Sequence, residues 1–261
     1  MSIPTILRRC LSTHTFPPPS WRTTKFAMVT AYDYPQARAA AELQLPILVG
    51  DSLANTALGF NHTHQATMNH MVHHLQAVRR GAPQSFIVAD MPYRSDCNPR
   101  KALRNTRRLI KHGADSVKLE GPKVLQVQHL TKHKIPVIAH IGVCPQTDAS
   151  FRTVGRDPNS TETLLHQAVA LEDAGAIAVV LENIAPSTVS LILHRTKIPT
   201  IGIYSGHQPA GQVMVFNDLM GLPSAPVRTG VTTRNALVDV YGLYVDCLLY
   251  TSPSPRDKHR S

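Results

Sequence analysis

Acidic residues are scarce in this chain. Asp and Glu number 17 against 27 Lys and Arg in 261 residues, for a formal net charge of +10. Aromatics are scarce too, at 5%, with a single tryptophan. Long apolar runs are missing: stretches such as Ala176–Leu181 stop far short of the ~20 residues that cross a bilayer. That excludes a membrane-spanning helix. The few cysteines, Cys10, Cys97, Cys144 and Cys247, show no CxxC pair and no metal-ligand spacing. A disulfide framework is excluded with them, and a reducing compartment suits their scatter. A nucleic-acid surface would combine a basic face with aromatic platforms, and neither is present.

The positive charge lies mostly at the two ends. Residues 1–25 carry Arg8, Arg9, Arg22 and Lys25 and no acid, while 247–261 carry Arg256, Lys258 and Arg260 against Asp257. An Arg-, Ser- and Thr-rich, acid-free start has the composition of a mitochondrial transit peptide, so residues 1–24 are expected to be a transit segment and linker and the protein mitochondrial. The tail CLLYTSPSPRD reads as an in-frame translation of a sequencing adapter. Residues 247–261 are therefore expected to be an artefactual extension, with the native chain truncated near Asp246. Both ends are expected to pack against little. The folded domain is placed at 25–246.

What the middle contains is an alternation of short β-rich runs with helical stretches. Strands are predicted at Phe26–Tyr32, Ile47–Gly50, Ser85–Asp90, Ser116–Glu120, Val137–Ile141, Ala176–Glu182, Thr200–Ile203 and Val213–Asn217. Helices fall between them, at Pro35–Leu43, Met68–Arg80, Pro99–His112, Lys123–Lys132, Thr161–Asp173 and Pro186–Thr196. Gly113-Ala114 and Gly175-Ala176 stop helices just before strands, as a glycine past the last turn does. Eight strands alternating with helices give an α/β fold with a parallel sheet covered on both faces. In about 220 residues that count favours a (β/α)8 TIM barrel over a doubly wound sheet, and no GxGxxG follows the first strand.

Five consecutive strands, the second to the sixth, end in or beside a titratable residue: Asp51, Asp90, Glu120, His140 and Glu182. In such barrels the strand C-termini converge on the active site. Asp51, Asp90 and Glu120 together would repel one another unless protonated or neutralised. A hard divalent cation such as Mg²⁺, content with a few carboxylates plus water and substrate oxygens, answers that. Glu182, two strands on from Glu120, is free to act as a base if burial raises its proton affinity. Lys118 lies two residues before Glu120, hence on the same face, where it could bind a substrate carboxylate.

The strings TAYDYPQA, VGDSL, QAVRRGAP, VADMP, VKLEG, AHIGVCPQ and VLEN, in this order, resemble the ketopantoate hydroxymethyltransferase family over about 26–221. The resemblance implies a barrel of the phosphoenolpyruvate/pyruvate type. It implies transfer of a hydroxymethyl group from 5,10-methylenetetrahydrofolate to 3-methyl-2-oxobutanoate, giving 2-dehydropantoate for pantothenate biosynthesis. By resemblance, Asp51, Asp90 and Glu120 ligate Mg²⁺. Asp51, Ser52, Asp90 and Lys118 contact substrate, Glu182 accepts the proton, and His140 supports it. The partners implied are the oxo acid, the folate and further copies of the chain in a homo-oligomer, a decamer, with no nucleic acid and no membrane. Tyr204 stands where the family carries a small residue.

Other readings are open. A lyase or phosphomutase of the same barrel superfamily would share the acidic cluster, and a non-catalytic metabolite-binding barrel would share the fold. His62, His64, His70, His73 and His74 suggest a transition-metal site or, with no accompanying carboxylate, a solvated helix face. Cys144 has no evident base beside it. Arg79 and Arg80 fit a solvated helix end.

Overall fold

The computed structural model describes residues 19–148 and 150–222. The expected transit segment up to residue 18 and the adapter-like tail 247–261 lie outside the described residues. Eight parallel strands close into a barrel in chain order: β1 (Phe26–Thr30), β2 (Ile47–Val49), β3 (Ile87–Asp90), β4 (Ser116–Glu120), β5 (Val137–Gly142), β6 (Ala178–Glu182), β7 (Thr200–Ile203) and β8 (Gly211–Met214). Every residue of β2, β3 and β4 is buried, as expected of parallel strands covered on both faces. The connecting helices include Tyr34–Glu42, Met68–Gly81, Pro99–Lys111, Val124–Lys132, Pro158–Asp173 and Pro186–Arg195. Four of them start on side-chain caps, Asp33 accepting from the Gln36 N–H, Thr67 from His70, Asn98 from Lys101 and Asp157 from Ser160. Each cap satisfies one otherwise unpaired backbone donor. From Val215 onward the chain forms a second unit, described as far as 222, with one short helix at Phe216–Leu219. Among the described residues no helix is long and apolar enough to cross a membrane.

Period-two alternation decides what faces inward. Met28, Leu48, Val88, Ile138 and Val180, one from each of five strands, belong to a single buried cluster. Two residues further along β3, β5 and β6, on the same face, stand Asp90, His140 and Glu182. The register sets Asp90 beside Lys118, Glu120 beside His140 and Gly142 beside Glu182. A polar layer therefore lies over an apolar one, at the strand C-termini.

Two expectations change. Trp21, assigned from the sequence to a linker that packs against little, is 5% exposed. It stacks on Phe26 at 4.2 Å and meets Phe86 edge-on at 5.8 Å. A tryptophan buries about 150–250 Å² of mostly apolar surface, and here it joins the same cluster as Met28 and Val180. The last strand, expected at Val213–Asn217, runs from Gly211 to Met214. Gly211 pairs with Phe26, and a Cβ on it would lie 2.3 Å from the Phe26 ring. The strand thus starts at a glycine that β-propensity does not favour. Lys25 fastens the loop before it, its Nζ donating to the carbonyls of His207, Gln208 and Pro209 at 2.8–2.9 Å.

Candidate active site

The strand-end residues meet in one buried group. Asp51, in the turn after β2, is 6% exposed, and its backbone N–H donates to Asp90 Oδ2 at 3.0 Å. A Cβ on Gly50 would come within 2.8 Å of Ser52 Oγ and 3.5 Å of Asp90 Oδ2, so the glycine keeps this turn close to β3. Lys118 Nζ lies 3.1 Å from Asp90 Oδ1. Burial works against the ammonium, but Asp90, Asp51, Glu120 and Glu182 more than offset it and hold Lys118 above the ordinary lysine range. Ser52 Oγ shares a 2.8 Å hydrogen bond with the Tyr32 hydroxyl, which also accepts from Thr30 Oγ1. Burial, before any other cause, pushes that phenol up. His74 Nδ1 sits 2.6 Å from the Tyr32 carbonyl oxygen and so anchors the backbone of this group.

Gln146 ties the two halves of the site together. Its backbone N–H donates to Glu120 Oε1 at 2.8 Å, and its Nε2 donates to Asp51 Oδ2 at 2.7 Å and to the Met91 carbonyl at 3.0 Å. The residue lies in the AHIGVCPQ string, yet nothing in its type or spacing marks it as a bridge. Burial first, and Asp90 second, raise the Asp51 carboxyl well above the carboxylate range, against Lys118 and Gln146. Burial also raises Glu120, with His140 and Lys118 opposing.

On the other side, His140 is 1% exposed. Its Nδ1 is 3.8 Å from Glu120 Oε2 and its Nε2 3.3 Å from Glu182 Oε2, though neither nitrogen makes an aligned hydrogen bond. The Glu182 side chain is 12% exposed, the most open of the acids. Its strand end depends on Gly142, at φ 105°, where a Cβ would lie 2.2 Å from the Glu182 carbonyl oxygen. Ser205, 1% exposed, completes the turn: its hydroxyl donates to the Leu181 carbonyl at 2.8 Å and accepts from the Ile184 N–H at 3.0 Å. Ser205 too was invisible to sequence reasoning, since its partners come from another loop.

Asp51, Asp90, Lys118 and Glu120 are thus linked by hydrogen bonds and an ion pair, His140 lies between Glu120 and Glu182, and Ser52, next to Asp51 in the chain, bonds to Tyr32. Their surplus of carboxylates over the single Lys118 ammonium fits a hard divalent cation in donor type and charge. Asp51, Asp90 and Glu120, the residues expected to gather around one ion, are joined here through Lys118 and Gln146. Among the described residues no three or more His, Cys, Asp or Glu side chains are grouped as a metal site. That holds for the histidines as well: His62 stacks on His64 at 5.0 Å, and His70 accepts from the Thr67 N–H at the start of its helix. Arg79, expected to be solvated, instead donates to the Gly113 carbonyl and pairs with Asp115 at 2.5 Å. Burial, then Glu120, pushes the Cys144 thiol up to about 12, which disfavours the thiolate form. Tyr204 is 52% exposed at φ 53° and packs edge-on against Phe151 at 5.5 Å.

Among solved structures, the fold resembles 2,3-dimethylmalate lyase, a member of the PEP mutase/isocitrate lyase superfamily, with a TM-score of 0.60 at 15% identity, covering 98% of this chain and 90% of that one. A phosphoenolpyruvate phosphomutase from Streptomyces platensis subsp. rosaceus gives a TM-score of 0.60 at 15% identity, covering 98% and 91%. Identities this low show the fold alone, a closed barrel of eight parallel strands with helices between them. Sequence relatives are far nearer. A 3-methyl-2-oxobutanoate hydroxymethyltransferase of Deinococcus radiodurans is 44% identical over 232 residues, 85% of this chain and 81% of that protein. One of Bacillus cereus strain G9842 is 39% identical over 244 residues, 89% and 87%. The family model described as ketopantoate hydroxymethyltransferase matches residues 12–238. With the strand-end acids, the lysine and the histidine on one inward face of the barrel, the chain belongs to the ketopantoate hydroxymethyltransferase family.

Proposed function

We propose that this protein transfers a hydroxymethyl group from 5,10-methylenetetrahydrofolate to 3-methyl-2-oxobutanoate, giving 2-dehydropantoate and tetrahydrofolate in pantothenate biosynthesis. The observation that carries the reading is the position of Glu182. It stands apart from the Asp51–Gln146–Glu120 bridge, beside His140 and at the open edge of the site. That is where a base must wait for a substrate proton. Lyase and phosphomutase chemistry has only the shared fold in its favour.

Asp51 and Asp90, with Glu120, would hold a divalent cation such as Mg²⁺, which polarises a keto oxygen and so acidifies the neighbouring C–H. Lys118 and Ser52 bind and orient the substrate carboxylate, a positioning role. Glu182 takes the C3 proton on a carboxylate oxygen, and His140, 3.3 Å away, steadies that carboxylate. A water molecule supplies the oxygen of the one-carbon unit as both of its C–N bonds break and tetrahydrofolate leaves; the enolate carbon forms the new C–C bond to that formaldehyde-level carbon, and the proton taken by Glu182 is returned to the product hydroxyl. Gln146 keeps Asp51 and Glu120 apart from one another and fixed. A homo-oligomer, a decamer in the family, and a mitochondrial location from the composition of residues 1–24 complete the proposal.

The test is exchange of the substrate C3 proton with deuterated solvent, which needs no folate. Glu182→Gln keeps the shape and removes the basicity. Exchange is expected to fall about 10²–10⁴-fold, the usual share of a general base, with oxo-acid affinity nearly unchanged. Exchange at the wild-type rate would remove Glu182 from the role. Absence of folate-dependent turnover by the wild-type protein with Mg²⁺ would refute the reading as a whole.

A further inference from the structure

One side of the barrel presents no unpaired acid. Between residues 43 and 147 the chain has five, Asp51, Asp90, Asp96, Asp115 and Glu120. Asp115 is taken by Arg79, and the other four are buried, Asp96 against Lys123. The same stretch has 13 Lys and Arg, and setting aside the paired Arg79, Lys118 and Lys123 leaves ten with no acid partner among the described residues. Three helices hold most of them: Met68–Gly81, Pro99–Lys111 and Val124–Lys132, each packed on the next outside the strands. None of the three contains an acid, a Phe, a Tyr or a Trp. The middle one is the most basic. At about 100° and 1.5 Å per residue, Arg100, Arg104, Arg107 and Lys111 share one strip about 16 Å long, and all four are exposed. Arg108 ties this helix to the first, its Nη2 donating to Asn69 Oδ1 at 2.6 Å. Exposed Arg80, Lys132 and Lys134 extend the wall on either side. Like charges three and four residues apart destabilise a helix, and no acid relieves them here. The positive charge that the sequence placed mostly at the two ends is thus also gathered on this wall.

We propose that this wall docks reversibly on an anionic phospholipid surface, the arginine strip of Pro99–Lys111 lying against the headgroup phosphates. The sign of the charge calls for an anionic partner, and the arginine fork matches phosphate oxygens in pairs. A second copy of the chain is the wrong partner, because a two-fold contact through this wall would set the same charge against itself. Single-stranded nucleic acid is gripped through aromatic platforms, and these helices have none. A lipid surface also accommodates Leu125, which stands 68% exposed at the start of the third helix. Each Lys or Arg held at an anionic bilayer strengthens binding about fivefold, so a strip of four with flanking charges is enough for attachment. The family resemblance implies no membrane partner, and no described helix is long and apolar enough to span one. A contact of surface charge needs no such helix, and no residue of the strip belongs to the active site. The proposal is independent of the hydroxymethyl-transfer reading.

The full chain is to be sedimented with vesicles of about 70:30 phosphatidylcholine and phosphatidylglycerol in ~0.1 M KCl. Binding is expected there, with none to phosphatidylcholine alone and none at about 1 M KCl, where charges are screened beyond ~3 Å. A chain with Arg100→Glu, Arg104→Glu and Arg107→Glu together should bind the anionic vesicles about 100-fold more weakly or worse. Its melting temperature should stay near that of the wild type, because the new acids at 104 and 107 face Arg108 and Lys111 one turn on. The milder pair Arg104→Gln and Arg107→Gln serves if the triple variant fails to fold, and it should weaken binding about 25-fold. Arg8→Gln with Arg9→Gln tests the basic N-terminal segment and should change binding little. Absence of binding to the anionic vesicles overturns the proposal. So does a folded triple variant that binds as the wild type does, or a loss that follows the N-terminal changes instead. Binding to a DNA duplex of about 20 base pairs but not to the vesicles would assign the wall to another polyanion and overturn it as well.

Discussion

Replacing Lys118 with methionine tests the electrostatic heart of the site. Methionine keeps most of the aliphatic stem and removes the charge. Lys118 Nζ lies 3.1 Å from Asp90 Oδ1, with side chains 7% and 3% exposed. At an effective dielectric constant of about 20, that separation is worth about 5 kcal/mol of attraction. Desolvation of the ammonium takes back part of it, and removing one member of a buried pair typically costs about 3–5 kcal/mol. Lys118→Met is therefore expected to lose about 3–5 kcal/mol at pH 8 in urea titrations with an unchanged m-value. The loss should depend on pH. Asp51 and Glu120 already bind protons more tightly in the folded state than free carboxylates do, and without Lys118 they will bind them more tightly still. A carboxyl raised in the folded state destabilises fully above its folded pKa. Relief comes as pH falls through that value, because the folded state then binds more protons than the unfolded one. The deficit should thus shrink between pH 8 and pH 5. A deficit below about 1 kcal/mol, or one independent of pH, would refute the reasoning and reduce Lys118 to a packed stem.

Four further outcomes are expected. Gly142→Ala should cost at least about 1–3 kcal/mol, measured by urea unfolding, and should abolish C3-proton exchange, because its Cβ would collide with the Glu182 carbonyl oxygen at 2.2 Å. Gln146→Leu removes two buried donor contacts, at 2.7 and 3.0 Å; calorimetry should show a loss of about 1–3 kcal/mol, and turnover should fall with it. Iodoacetamide at pH 8, followed by peptide mass mapping, should alkylate exposed Cys97 and spare Cys144, whose thiol is pushed up to about 12; equal labelling would contradict that burial. Trp21→Ala should lose about 3–5 kcal/mol in thermal or chemical unfolding, whereas a wild-type melting curve would return residue 21 to the linker.

The alternation of strands and helices, and hence the barrel, was legible from the sequence because each element carries its own period. Seven of the eight strands lie where the apolar runs put them, and the eighth slid because Gly211 is placed by its contact with Phe26 rather than by propensity. The polar strand ends were legible for the same reason. Asp90, Lys118, Glu120, His140 and Glu182 share the inward face with Val88, Ile138 and Val180 by a period of two, a local property of the backbone. What only the tertiary structure decided is what those groups touch. Gln146 reaches Asp51 across 95 residues, Ser205 holds the Glu182 turn from 21 and 24 residues away, and Trp21, ahead of β1, finds Phe86 just before β3. The same holds for Asp96, whose partner Lys123 lies 27 residues on. A glutamine, a serine or an aspartate in a loop has the same local signature whether it faces water or a buried carboxylate. Its role is set by chain closure, which brings distant groups into a medium where each unpaired charge must find a partner.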